Sequence, residues 1–128
     1  MFYDNIKHGF AFFLSKTLIK LSVFTSVFRF VYGMAGDERA LFLKLVKLNV
    51  ETKEFVTWEE SGGFTSEPVF VKAPDGKVED DGVVLSCVIN PSRDQTTSLL
   101  VLGAKEFKEL GRAVVQGVVP ATLHGIFQ

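Results

Sequence analysis

The stretch GVVLSCVIN, residues 82–90, constrains the fold more than any other part of this chain. Val83, Leu85, Cys87 and Ile89 alternate with Val84 and Val88, so an extended segment here is apolar on both faces. Such a strand needs cover on both sides, which stacked sheets supply and a lone exposed sheet does not. The surrounding sequence carries the same signal. FRFVYG, LFLKLVKLNV, EFVTWEE, EPVFVKAP, SLLVLGA and ELGRAVVQG are short runs rich in Val, Leu and Phe, each bounded by Gly, Pro, Asn, Asp or charged clusters. Runs of this kind at near-even spacing predict strands from Arg29 onward. LNVETKEFV predicts a hairpin with Glu51 to Glu54 at its tip. APDGK predicts a turn in which Pro74 presets φ and Gly76 takes a positive φ. NPSRDQ predicts another turn.

A weak internal echo points the same way. KLVKLNVETKEF and SLLVLGAKEFKE both read as strand, charged turn, strand, and they lie about fifty residues apart, the period of propeller blades. Two such units do not close a ring, so the sequence reads as the end of something larger.

Residues 1–28 have a different character from residues 29–128. HGFAFFLSKTLIKLSVFTSVFRF holds much of the phenylalanine and almost no acid. Phe10, Phe13, Leu14, Leu18, Leu21, Phe24 and Phe28 recur at helical spacing and predict an amino-terminal amphipathic helix. Lys16 and Lys20 interrupt it, so it falls short of the ~20 clean residues of a membrane span. Three readings stay open: a basic helix lying on a membrane, a helix packed on the rest of the protein, and sequence foreign to the domain.

Composition removes several function classes. The formal net charge of −1 gives no electrostatic reason to expect a nucleic-acid partner. The single cysteine, Cys87, allows no disulfide within the chain and no thiolate zinc site, and reads as a small buried hydrophobe. KVEDDG lacks the ligand spacing of an EF-hand loop and reads as a solvated acidic turn. Ser15, Ser22 and Ser26 have no base beside them in any catalytic pattern. Trp58 in VTWEE reads as packing at the edge of a blade.

Across residues 29–128 the motifs are specific. SEPVFVKAPDGKVEDDGVVLSCVINP, SLLVLGAKEFKELGRA and PATLHGIF follow one another in order, with FRFVYG and KLVKLNVETKEFVTWEE upstream. Together they resemble the carboxyl end of the carotenoid cleavage oxygenases. The likeness is greatest to the animal branch of beta-carotene oxygenases and the retinoid isomerohydrolase of retinal pigment epithelium. The resemblance implies a mainly β fold, with antiparallel strands forming about the last two blades of a seven-bladed β-propeller. It also implies a non-haem iron(II) on the propeller axis, held by four histidines that glutamates brace from behind. His124 in LHGIF matches one of the four metal ligands. Glu67 in TSEPVF matches one of the bracing acids. The other three histidines belong to earlier blades, and the only other histidine here, His8, lies outside the resemblance. Gly103 departs from the family's VLDAK, and loss of the aspartate is expected to loosen the turn that follows.

The donor types suit the implied chemistry. Neutral imidazole is a good ligand for iron(II), and a ligating histidine commonly donates its second ring N–H to a carboxylate. Leu123, Ile126 and Phe127 would keep such a site dry. The parent activity implied is addition of dioxygen across a polyene double bond, giving two aldehydes. The isomerohydrolase branch instead cleaves and isomerises a retinyl ester. The expected substrate is a carotenoid or retinoid, the expected setting cytoplasmic with a peripheral membrane contact. With one of four ligands, the isolated chain is expected to be inactive. The alternative is a non-catalytic β interaction module whose amino-terminal helix docks on a membrane or on a larger partner.

Overall fold

The computed structural model describes residues 11–13, 29–36, 44–91 and 96–117, and among them there is no helix. Among the described residues, nine strands form two antiparallel sheets. The first sheet runs in sequence order: β1 (Ala11–Phe13), β2 (Phe30–Gly36), β3 (Lys44–Asn49) and β4 (Phe55–Glu59). The second holds β5 (Phe64–Thr65), β6 (Val69–Lys72), β7 (Gly82–Asn90), β8 (Thr96–Gly103) and β9 (Lys108–Val115). In it β5 and β6 pair in turn with one side of β7, while β8 and then β9 extend the other side. All seven apolar runs from Arg29 onward therefore contribute strands.

The two sheets stack and so cover one face of the doubly apolar strand. Val84 and Val88 of β7, with Leu100 and Leu102 of β8, form one core cluster with Met34 of β2 and Leu45 of β3. Leu45, Val84, Leu100 and Leu102 are fully buried. Tyr32, Trp58 and Phe70 pack against the cluster, and the Tyr32 and Phe70 rings stack with centroids 5.4 Å apart. On the other face of β7, Val83, Leu85, Cys87 and Ile89 are half-buried. Trp58, on β4 at the end of the first sheet's strand order, covers the core as expected.

Two details correct the sequence-based expectations. Ala11–Phe13, placed in the amino-terminal helix by periodicity, is a strand paired with Met34–Gly36 of β2. Short apolar runs do not distinguish helix from strand by periodicity alone, and here the backbone groups along β2 supply the partner. The rest of the expected helix lies outside the described residues, as does most of NPSRDQ. The second detail is Gly76. Gly76 N–H donates to Ala73 O at 3.0 Å, closing the APDG turn as expected, but Gly76 does not have a positive φ. Glycine is needed there for space: an added Cβ would come within 2.9 Å of Asp81 Cβ and 3.1 Å of the Ala73 oxygen.

The turn after Gly103 closes with a backbone hydrogen bond. Phe107 N–H donates to Gly103 O at 2.9 Å, and Phe107 itself is 2% exposed within the core cluster. Burial of that ring anchors the turn.

Candidate functional site

Glu67 stands at a break in the edge strand beside β7. Thr65 pairs with Val88 and Val69 pairs with Leu85, so three residues, Ser66, Glu67 and Pro68, oppose two, Cys87 and Ser86. This is a β-bulge, a device that interrupts pairing and re-aims side chains. It inverts the alternation. Thr65 shares the core-facing side with Val88, whereas Val69 shares the opposite face with Leu85. Pro68 has no N–H to give to a ladder and is tolerated at such a break. Glu67 is half-buried.

Serines hold the break. Ser66 N–H donates to Cys87 O at 2.8 Å, and Cys87 N–H donates to Ser66 Oγ at 2.8 Å. The Ser86 hydroxyl donates to Ser66 O at 2.8 Å. These partners were not singled out by sequence reasoning, although Pro68 inside an apolar run is a legible sign of a bulge.

Two polar clasps join the sheets around this edge. Lys47 of β3 is 6% exposed and spends its ammonium on Asp80 Oδ2 at 2.8 Å, Ala104 O at 2.7 Å and Lys105 O at 3.1 Å. It also lies 4.2 Å from the centroid of the Phe30 ring. The second clasp gathers on Glu60, just after β4. It accepts from Asn90 Nδ2 at 2.7 Å and from Arg112 Nη1 at 2.6 Å, and Arg112 also binds Glu109 through Nε and Nη2. Burial, with help from the nearby Asp80 and Glu79 carboxylates, pushes the Tyr32 phenol well above its ordinary value.

KVEDDG is accordingly more than a solvated acidic turn. Asp80 is 9% exposed against Lys47. Glu79 accepts the backbone N–H groups of Arg29 and Phe30, all at 2.9 Å, and so holds the start of β2. Asp81 accepts from Lys105 Nζ at 2.9 Å and from the N–H groups of Val78 and Lys77, which together hold its carboxyl down at about 2. A carboxylate depressed below its unfolded value near 4 stabilises the fold above that value and loses the contribution as pH falls toward 2. In a carboxyl-carbon NMR titration, Lys105→Ala is expected to raise the Asp81 midpoint toward the unfolded value. An unmoved midpoint would show that the lysine is not the main cause.

The described residues do not by themselves fit an iron site. Both histidines, His8 and His124, lie outside them, so the pairing of Glu67 with His124 falls outside the described residues too. Among the described residues no group of three or more His, Cys, Asp or Glu stands together as a metal site. The buried Asp80 and the half-buried Glu60 are already held by Lys47 and by Asn90 and Arg112.

Two stacked antiparallel sheets, joined at their edges and apolar through the middle, define a pair of propeller blades. The comparisons agree. Crystal structures of a cobalt-substituted form and of a variant of Synechocystis apocarotenoid oxygenase each superpose with a TM-score of 0.70 at 25% identity, covering 77% of this chain and 22% of theirs. The family model of the retinal pigment epithelial membrane protein, RPE65, matches residues 19–128. This chain belongs to that family, the carotenoid cleavage oxygenases. It is 44% identical over 100 residues to beta,beta-carotene 15,15'-dioxygenase of Gallus gallus, covering 78% of this chain and 19% of that protein. It is also 44% identical over 100 residues to the mitochondrial carotenoid-cleaving dioxygenase of Homo sapiens, covering 78% of this chain and 17% of that one. The chain thus spans about a fifth of the length of the curated relatives it matches.

Proposed function

We propose that this chain forms the carboxyl-terminal blades of an iron(II)-dependent carotenoid oxygenase, which cleaves a carotenoid polyene oxidatively to aldehydes. In this reading His124 is one of four imidazole ligands, and Glu67 braces the ligand set by accepting a ring N–H. The observation that carries the reading is the bulge at Ser66–Pro68. A half-buried acid is re-aimed there, on the edge strand of a blade, within a segment 44% identical to a carotenoid dioxygenase. The cobalt-substituted relative supports a metal in the family's site.

The chain brings a single matching imidazole, so no step of the cleavage is assigned to it alone. Water would compete for the remaining positions on a metal held by one neutral ligand. The isolated chain, loaded anaerobically with iron(II) and then given dioxygen and beta-carotene, is expected to form no more aldehyde than His124→Ala. Aldehyde above that control would overturn the requirement for the upstream blades.

A further inference from the structure

A bulge leaves backbone groups that the ladder no longer serves. In a regular antiparallel ladder, the two residues of a hydrogen-bonded pair exchange both N–H and C=O. Here Cys87 exchanges with Ser66 only in part: it accepts the Ser66 N–H, but gives its own N–H to the Ser66 hydroxyl. The side chain has taken the carbonyl's place, and the Ser66 carbonyl is released. The Ser86 hydroxyl captures it at 2.8 Å, and the two hydroxyl oxygens lie 3.3 Å apart. Ser86 is 3% exposed and shares the core-facing side of β7 with Val84 and Val88.

Capture of that carbonyl sets the plane of the peptide joining Ser66 to Glu67. The carbonyl is drawn toward the core side, the Glu67 N–H turns the opposite way, and the direction in which the Glu67 side chain leaves the backbone follows. We propose that Ser66 and Ser86 are positioning residues for Glu67: the hydroxyl pair pins the bulge at Ser66–Pro68 and so aims the acid. The inference rests on the metal-bracing role given to Glu67 above. Without the Ser86 hydroxyl, the half-buried Ser66 carbonyl loses its donor. The strand then gains by shifting the bulge along β7, which moves Glu67.

The test uses the full chain. Ser86→Ala and Ser66→Ala remove one hydroxyl each, and Ser66→Thr keeps it. Ser98→Ala, a buried serine on the core side of β8, controls for loss of a buried hydroxyl as such. Two signals are read by NMR: hydrogen exchange of the Cys87 amide, and the Glu67 carboxyl carbon with and without cobalt(II). In both serine-to-alanine variants, Cys87 exchange is expected to rise roughly tenfold, the value of one hydrogen bond. The Glu67 signal should shift or split. Ser66→Thr should restore both signals, and Ser98→Ala should leave Glu67 in place whatever it does to the melting temperature. An unmoved Glu67 carboxyl in both alanine variants overturns the inference. Should Ser86→Ala not fold, Ser66→Ala against Ser66→Thr reads the same pair from its other side. If cobalt(II) perturbs Glu67 in no variant and not in the parent, the metal-bracing role fails, and the metal-free carboxyl signal still decides the positioning.

Discussion

Lys47→Met is expected to lower the unfolding free energy by roughly 3–5 kcal/mol, the usual loss when one partner of a buried ion pair is removed. The substitution keeps an unbranched apolar stem as far as Cε, with sulfur in place of Cδ, and deletes the ammonium. It leaves Asp80 buried without its cation, and it leaves the Ala104 and Lys105 carbonyls without their donor. Lys47 belongs to the first sheet and all three acceptors to turns that connect strands of the second, so the loss falls on the joint between blades. A domain stable by only about 5–15 kcal/mol would be close to unfolding at room temperature after such a change. Lys47→Met combined with Asp80→Leu should recover much of the loss, because replacing a buried pair by apolar groups is often neutral or better. Denaturant midpoints measure both. A loss below about 1 kcal/mol for the single variant would mean the pair behaves as an exposed one.

How much of this was legible beforehand depends on the kind of signal each residue carries. Seven of the eight described strands from Arg29 onward are written in local composition, and their turns in Gly, Pro, Asn and Asp. The doubly apolar GVVLSCVIN called for a second sheet, and Leu45 and Met34 supply it. Two strands were missed. Phe64–Thr65 is too short for any period to show, and Ala11–Phe13 lies in a stretch whose phenylalanines fit a helix equally well. Lys47 was also missed. LFLKLVKLNV puts a lysine on each face of the strand, so alternation alone does not say which one is buried; Asp80, 33 residues away, decides it. KVEDDG looked solvated for the same reason, since its partners are distant in sequence. Local sequence marks Gly76 as a turn residue but not the cause, because crowding by Asp81 leaves no trace in local sequence. Glu67 was found through resemblance, and the Pro68 beside it already announced the break in the strand. His124 was found the same way and lies outside the described residues.

The central claim is that these blades complete a carotenoid-cleaving site through one imidazole. The most direct test supplies the missing part. The Gallus gallus dioxygenase is truncated before the segment that this chain matches, and the chain is added back in trans or fused at the junction. With iron(II), dioxygen and beta-carotene, aldehyde formation is expected from the chain carrying His124 and none above background from His124→Ala, a loss of at least about a thousandfold in keeping with removal of a group the chemistry depends on. Glu67→Gln is expected to fall between the two, by about 10- to 100-fold, as for other partners that orient a metal ligand. Equal aldehyde formation with and without the His124 imidazole, in a reconstituted protein that folds, would contradict the claim.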